Sequence, residues 1–275
     1  MRALFITVTL SLALTGCLNK AEKWLGEATT AASEAIATMG DVVRPDAPPP
    51  EAVELVSGRD AVGHRDFDSA KKVLPRVFAG MEEDFYCGCA YRGKQMDLES
   101  CGYVPRKNPQ RAARLEWEHV VPAWTIGHQR QCWKDGGRKH CSANDDVYRV
   151  AEGDLHNLVP SIGEVNGDRG HFAFGAWTRE PEPMYGQCTT VVDFKNRRVQ
   201  PREEVRGRVA RISLYMHNRY GLAMSRQDLR LWCAWARTYP VDDWERRRDA
   251  RIARLQGAGN PLVSDPSALE RLCAG

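Results

Sequence analysis

Eight cysteines spread from Cys87 to Cys273, behind an export signal, constrain this chain more than any other feature. Met1-Arg2 is followed by an apolar run from Ala3 to Leu14 and by small residues up to Cys17, the order of a secretory leader. That run falls short of the roughly 20 apolar residues a membrane-crossing helix needs, and no later stretch approaches that length. An exported chain matures in an oxidising compartment, so an even set of cysteines implies disulfides and not a metal cluster. Cys87-Gly88-Cys89 followed by Cys101 also lacks the spacing of paired zinc ligands. Neighbours two apart rarely bridge each other, so Cys87 and Cys89 are each expected to reach a distant partner, with the connectivity left open.

The ninth cysteine has a separate role. Leu14-Thr15-Gly16-Cys17 resembles the bacterial lipoprotein signal, which implies removal of residues 1–16, lipid on the sulfur of Cys17, and a chain held to a membrane by acyl groups. Leu18 after the cysteine implies, by resemblance to enterobacterial sorting, the outer membrane. Residues 17–66 then read as a tether, Ala/Thr/Glu-rich, helical over Trp24 to Met39 and stiffened by Pro45-Asp46-Ala47-Pro48-Pro49-Pro50. They carry five Lys/Arg against nine Asp/Glu, whereas residues 67–275 carry 33 against 27. The basic body suits a polyanionic partner.

Residues 67–275 are long enough for one domain with a substantial core. Phe67, Ala70, Val73, Leu74, Val77 and Phe78 recur at helical spacing, although Pro75 should kink or shorten that helix. Glu203 to Tyr220 reads as a helix stopped by Gly221. Ser225 with Asp228 caps another, and Asp242 with Glu245 caps one that ends at Gly257. Alternation from Cys188 to Val199 around Lys195-Asn196-Arg197 predicts a hairpin. Helices gather at the ends and strands in the middle, so the class is α+β.

Two segments mix ionisable and apolar residues densely: Glu116-Trp117-Glu118-His119-Val120-Val121-Pro122-Ala123-Trp124, and Asp154 to Pro160 running on to Asn166-Gly167-Asp168-Arg169-Gly170-His171. Polar groups within apolar runs cost free energy unless paired, which marks a candidate site. The first block, the stretch Gly127 to Arg138, and Asn157-Leu158 through Gly163 to Gly170 resemble the bacterial endonuclease I family, periplasmic and secreted nucleases. The resemblance spans roughly residues 67–263, including Asp97 to Tyr103. It implies a ββα-metal (His-Me) finger core surrounded by helices, disulfide bonding, and cleavage of DNA and often RNA with little sequence preference. Carried over motif by motif, it implies His119 as general base, Glu118 and Asn166 as ligands of one Mg²⁺, and Arg138 as a phosphate contact.

These residue types fit that chemistry. A neutral imidazole takes a proton from water near neutral pH. One carboxylate and one amide oxygen are hard ligands suited to Mg²⁺ or Mn²⁺. Contacts to the phosphate backbone carry no sequence information. Neighbours on a regular strand point to opposite faces, so Glu118 and His119 must sit where a strand ends or twists. Asn166 is expected on the helix that follows, with Gly163 and Gly167 allowing close approach. Asp168-Arg169-Gly170-His171 also resembles the motif of another nuclease family of the same superfamily, where its histidine is the base; the whole Glu-His-Val-Val-Pro block favours His119. His156 reads as a structural histidine. Gly88 to Lys94 imitates a phosphate-binding loop, but Gln95 stands where Ser or Thr is required, so no nucleotide cofactor is expected. A monomer is expected. The competing classes are a non-catalytic lipoprotein that captures nucleic acid and a structural envelope protein.

Overall fold

The computed structural model describes residues 42–43, 66–177 and 181–274, and those from Val43 onward belong to a single unit, Val43–Gly275. The leader, Cys17, the Trp24–Met39 helix and the proline segment lie outside the described residues. No helix among the described residues is long and apolar enough to cross a membrane.

Helix α1 (Phe67–Val77) starts at Asp66, whose carboxylate accepts the Ser69 N–H at 2.6 Å, and it ends just past Pro75. Its stripe of Ala70, Val73, Leu74 and Val77 is buried against Leu155, Leu158 and Ile252. Burial of one such leucine contributes roughly 1.5–3 kcal/mol. Strand β1 (Leu115–His119) follows, and the chain then makes an excursion through a short helix at Ala123–Gly127, helix α2 (Gln131–Asn144) and helix α3 (Asp146–Glu152). It returns as β2 (Leu158–Ile162), which pairs antiparallel with β1 in the register Leu115↔Ile162 to His119↔Leu158.

Asn157 closes the neck of this excursion. Its carbonyl accepts the Val120 N–H at 2.9 Å, and its side-chain amide exchanges hydrogen bonds of 2.7 and 2.9 Å with the Val121 backbone. Strand β2 runs directly into helix α4 (Gly163–Arg169). The expected close approach is found: a Cβ on Gly163 would lie 2.5 Å from the Arg111 carbonyl, and one on Gly167 would collide with the Arg111 guanidinium.

The predicted hairpin is β3 (Val191–Asp193) against β4 (Arg198–Gln200), with Ala173–Phe174 added parallel on the other side of β4. A 3₁₀ turn at Glu203–Val205 opens α5 (Arg206–Tyr220), and Gly221 stops it in a left-handed conformation. Ser225 and Asp242 accept the backbone N–H groups of Asp228 and Glu245 and so cap α6 (Arg226–Thr238) and α7 (Asp243–Gln256), as their spacing predicts. Helix α8 (Pro266–Cys273) closes the described chain.

All eight cysteines pair: Cys87–Cys188, Cys89–Cys101, Cys132–Cys141 and Cys233–Cys273. The last ties α6 to α8. The fold is α+β, stapled by four disulfides.

Candidate active site

Strand β1 ends at His119, which is where the alternation of side chains breaks. The residue that fixes this end is Arg169, the last of α4 and 1% exposed. One guanidinium nitrogen donates to Glu118 Oε1 and to the His119 carbonyl, both at 2.6 Å, and the other donates to the Val120 carbonyl at 2.6 Å. Its plane lies over the Phe174 ring. Gripped this way, Glu118 and His119 line the same cleft, about 470 Å³, together with Arg138 and Asn166. Four side chains scattered over the sequence are thus brought together.

His119 is buried, its ring 4.6 Å from that of Phe67. Its Nε2 lies 2.8 Å from the Glu152 carbonyl, an obligate acceptor, so Nε2 carries the hydrogen and Nδ1 the free lone pair. Burial, helped by the charge of Arg138, lowers its pKa to about 4. The ring is therefore neutral at physiological pH, in the tautomer that a proton acceptor requires.

Arg138 stands just beyond a break in α2, where Gly137 takes φ 67° and ψ −157°, a conformation that favours glycine. The Cys132–Cys141 disulfide spans that break. The guanidinium lies above Phe67, and its Nε donates to Glu152 Oε1 at 2.5 Å. Glu152 also accepts from Tyr148 Oη at 3.2 Å and Ser142 Oγ at 2.9 Å. A single residue therefore orients both the base, through its carbonyl, and the arginine, through its carboxylate. Sequence reasoning missed Glu152 and Arg169. One signal existed for the former: a carboxylate in the last turn of α3 runs against the helix dipole and needs a reason to be there.

Asn166 projects from α4, and its amide nitrogen donates to Glu116 Oε2 at 3.0 Å. Glu116 is itself held by Arg111 and Arg114, at 2.8 and 2.7 Å. With its donor side committed, the Asn166 carbonyl oxygen is the half left for a ligand. Glu118 has Oε1 held by Arg169 and by Tyr86 Oη at 3.1 Å, which leaves Oε2. Burial pushes this carboxyl up and Arg169 pulls it back. The donor set fits a hard cation with most of its sphere given to water and substrate. Among the described residues no three His, Cys, Asp or Glu side chains form a protein-only metal cage.

The rival histidine, His171, lines the same cleft, and among the described residues its contacts are the Arg197 guanidinium and neighbouring rings. No carbonyl or carboxylate sets its tautomer among the contacts it makes. His156 is buried behind β2, with Nε2 against the Ala258 carbonyl at 3.1 Å and its ring on Tyr215, in keeping with a structural role. At the imitation phosphate loop, the Gly88 N–H goes to the Asp84 carbonyl and Cys89 is bonded to Cys101, so that backbone is already engaged.

Comparison with known proteins identifies the family. The profile of one protein family, described as Endonuclease I, matches residues 66–267. An extracellular deoxyribonuclease of Aeromonas hydrophila is 52% identical over 202 residues, covering 72% of this chain and 87% of that protein. A periplasmic deoxyribonuclease of the same species is 50% identical over 202 residues, with 72% and 84% covered. An Endonuclease-1 of Buchnera aphidicola subsp. Baizongia pistaciae is 42% identical over 205 residues, with 73% and 83% covered.

Proposed function

The chain belongs to the endonuclease I family and is an endonuclease, and from that premise we propose that it hydrolyses DNA, and RNA as well, with little sequence preference, leaving 5′-phosphate and 3′-hydroxyl ends. The observation that carries the reading is His119 with Nε2 committed to the Glu152 carbonyl and the ring in a cleft shared with Glu118, Asn166 and Arg138. In this reading β1, β2 and α4 form a ββα finger, and Glu118 and Asn166 hold Mg²⁺, or Mn²⁺ in its place. When bound, that ion supplies positive charge beside the leaving 3′-oxygen.

The chain's own residues do the rest. Nδ1 of His119 accepts a proton from water, and the hydroxide so formed attacks phosphorus in line with the leaving oxygen. An entering phosphodiester brings negative charge next to a ring whose proton affinity burial has lowered, which raises that affinity during the reaction. Arg138, aimed by Glu152, binds a phosphate oxygen. Phe67 shields one side of the imidazole from water.

We also propose that residues 1–16 are removed, that lipid on Cys17 and the tether to residue 66 hold the nuclease domain of residues 67–275 at the outer membrane, and that the domain acts as a monomer. Export itself agrees with relatives named as extracellular and periplasmic enzymes.

Plasmid and RNA degradation by the oxidised protein, with and without EDTA, tests the mechanism in wild type, His119→Ala and His171→Ala. EDTA-sensitive cleavage lost only in His119→Ala is the expected result. Loss only in His171→Ala moves the base, and binding without cleavage by wild type leaves nucleic-acid capture as the function.

A further inference from the structure

Three large hydrophobic side chains are exposed among the described residues, and two of them, Trp124 (41%) and Phe194 (43%), belong to one band of rings that starts in the cleft. His128 lies parallel to the Trp124 indole at 3.8 Å, covering one face of it, and through Nδ1 bonds the Trp124 carbonyl at 2.9 Å. His171 meets Trp124 at 5.1 Å and Phe172 at 6.1 Å, and Phe172 meets Phe194 at 6.3 Å. Both Trp124 and His171 line the cleft that holds His119.

Two cations sit on this band. The Arg197 guanidinium lies 5.5 Å from the centre of Phe172 and contacts His171, and Arg106 lies 4.7 Å from the centre of Phe194. Arg197 is the one described non-glycine residue with positive φ, 54°, at the end of the β3–β4 turn, just before β4. Arg106 is fixed by a two-point pair with Asp168. A row of exposed rings interleaved with arginines does not match a duplex, whose base faces are hidden in the stack. It matches unpaired bases, which stack on rings while their phosphates meet the cations.

We propose that the Trp124–His171–Phe172–Phe194 band is a stacking surface for unpaired bases next to the scissile phosphate, so that the protein prefers single-stranded or locally opened nucleic acid. This deepens the nuclease reading and rests on it for the position of the scissile phosphate. It assigns His171 a ring to stack on and no role as base.

Equilibrium binding tests it separately from cleavage. Full-length oxidised protein carrying His119→Ala, with Mg²⁺, is titrated against a labelled single-stranded oligonucleotide, the same sequence as duplex, and an abasic single strand. Adding Trp124→Ala or Phe194→Ala is expected to weaken single-strand binding about tenfold and duplex binding by less than about twofold, with the slope of affinity against salt unchanged, because stacking releases no counterions. Trp124→Phe should retain most of the affinity. The abasic strand should bind weakly and be indifferent to Trp124→Ala.

Equal losses for duplex and single strand, equal binding of normal and abasic strands, or unchanged binding accompanied by loss of a dimer in Trp124→Ala, would each overturn the proposal. Ring-dependent binding without cleavage by the wild type would leave the single-strand stacking surface standing, while removing the nuclease mechanism and with it the placement beside a scissile phosphate.

Discussion

Replacing Arg169 with methionine is expected to destabilise the domain by about 4 kcal/mol, although Arg169 is offered no contact with substrate. The substitution keeps the length and the apolar contact with Phe174 but leaves the buried Glu118 carboxylate without its counter-charge. Breaking a buried ion pair from one side costs roughly 3–5 kcal/mol. The His119 and Val120 carbonyls lose a charged donor as well, about 1–3 kcal/mol each when buried, a cost that overlaps the first and does not simply add.

Glutamine at position 118 removes the stranded charge, so Glu118→Gln in the Arg169→Met background should recover about 1–2 kcal/mol. Arg169→Lys keeps the charge but cannot reach all three acceptors and should cost about 2 kcal/mol. Thermal and urea unfolding of the oxidised, EDTA-treated proteins, followed by circular dichroism, measures all of this. For a domain of this size each kcal/mol corresponds to about 2–4 °C, so Arg169→Met should melt about 8–16 °C low. An Arg169→Met variant within about 1 kcal/mol of wild type, or a double variant that simply adds the two single losses, would refute the view that Arg169 anchors the end of β1.

Glu152→Gln keeps the carbonyl that holds His119 and removes the charge that holds Arg138, so kcat/KM should fall about fivefold to tenfold, with the acidic limb of the pH profile moved down because the Glu152 charge favours protonation of His119; a rise would mean that Glu152 merely neutralises the arginine. Cys132→Ser with Cys141→Ser should cost about 2.5 kcal/mol, from the loss of a short cross-link, and lower activity about tenfold by loosening the break before Arg138; full activity of this variant would show that the cross-link is not what positions Arg138. His217, buried against Trp232, has its pKa lowered to about 4 by burial, with the Leu222 carbonyl pulling the other way. Its folded value lies below the unfolded one, so its contribution is fully present above about pH 6.5 and is lost as pH falls toward 4, reaching about 2.5 kcal/mol near pH 4.5. His217→Gln should flatten that part of the stability profile in denaturant titrations at pH 7 and pH 4.5, and an unchanged profile would contradict it.

What the sequence disclosed was mostly local. Ser225, Asp242, Gly221 and Gly257 announce helix ends because a cap is made within three or four residues of itself. The Glu118–His119 block stood out because ionisable groups amid apolar ones are expensive, whereas Asn166, a neutral amide, was reached only through the resemblance to the endonuclease I family. Arg169 stayed hidden: an arginine in the last turn of a helix ordinarily reads as a solvated partner of the dipole. Only the packing of β1, α4 and Phe174 reveals it as the buried clamp. Glu152 left one local trace, a carboxylate at the wrong end of a helix, but its partners His119 and Arg138, like the cysteine pairing, are set by packing that no local pattern encodes. The tension between Glu118 and His119 on adjacent strand positions was legible as a problem, and the strand end with its arginine is the answer to it.

The closure at Asn157 has a consequence for how such a molecule can change. Both ends of the excursion through residues 121–156 are fastened by one side chain, so the segment hangs from the β1–β2 pair as a cassette with a sealed neck. Its length and contents can vary, by natural drift or by grafting, without altering the register of the strands beneath it, because an enlarged loop pays only a slowly growing closure entropy. The cassette carries Arg138, Glu152 and Trp124, whereas Glu118, His119 and Asn166 stay in the frame. The frame's histidine is nonetheless oriented by a carbonyl of the cassette, so any inherited or engineered exchange has to keep Glu152 against His119 while the rest of the segment changes.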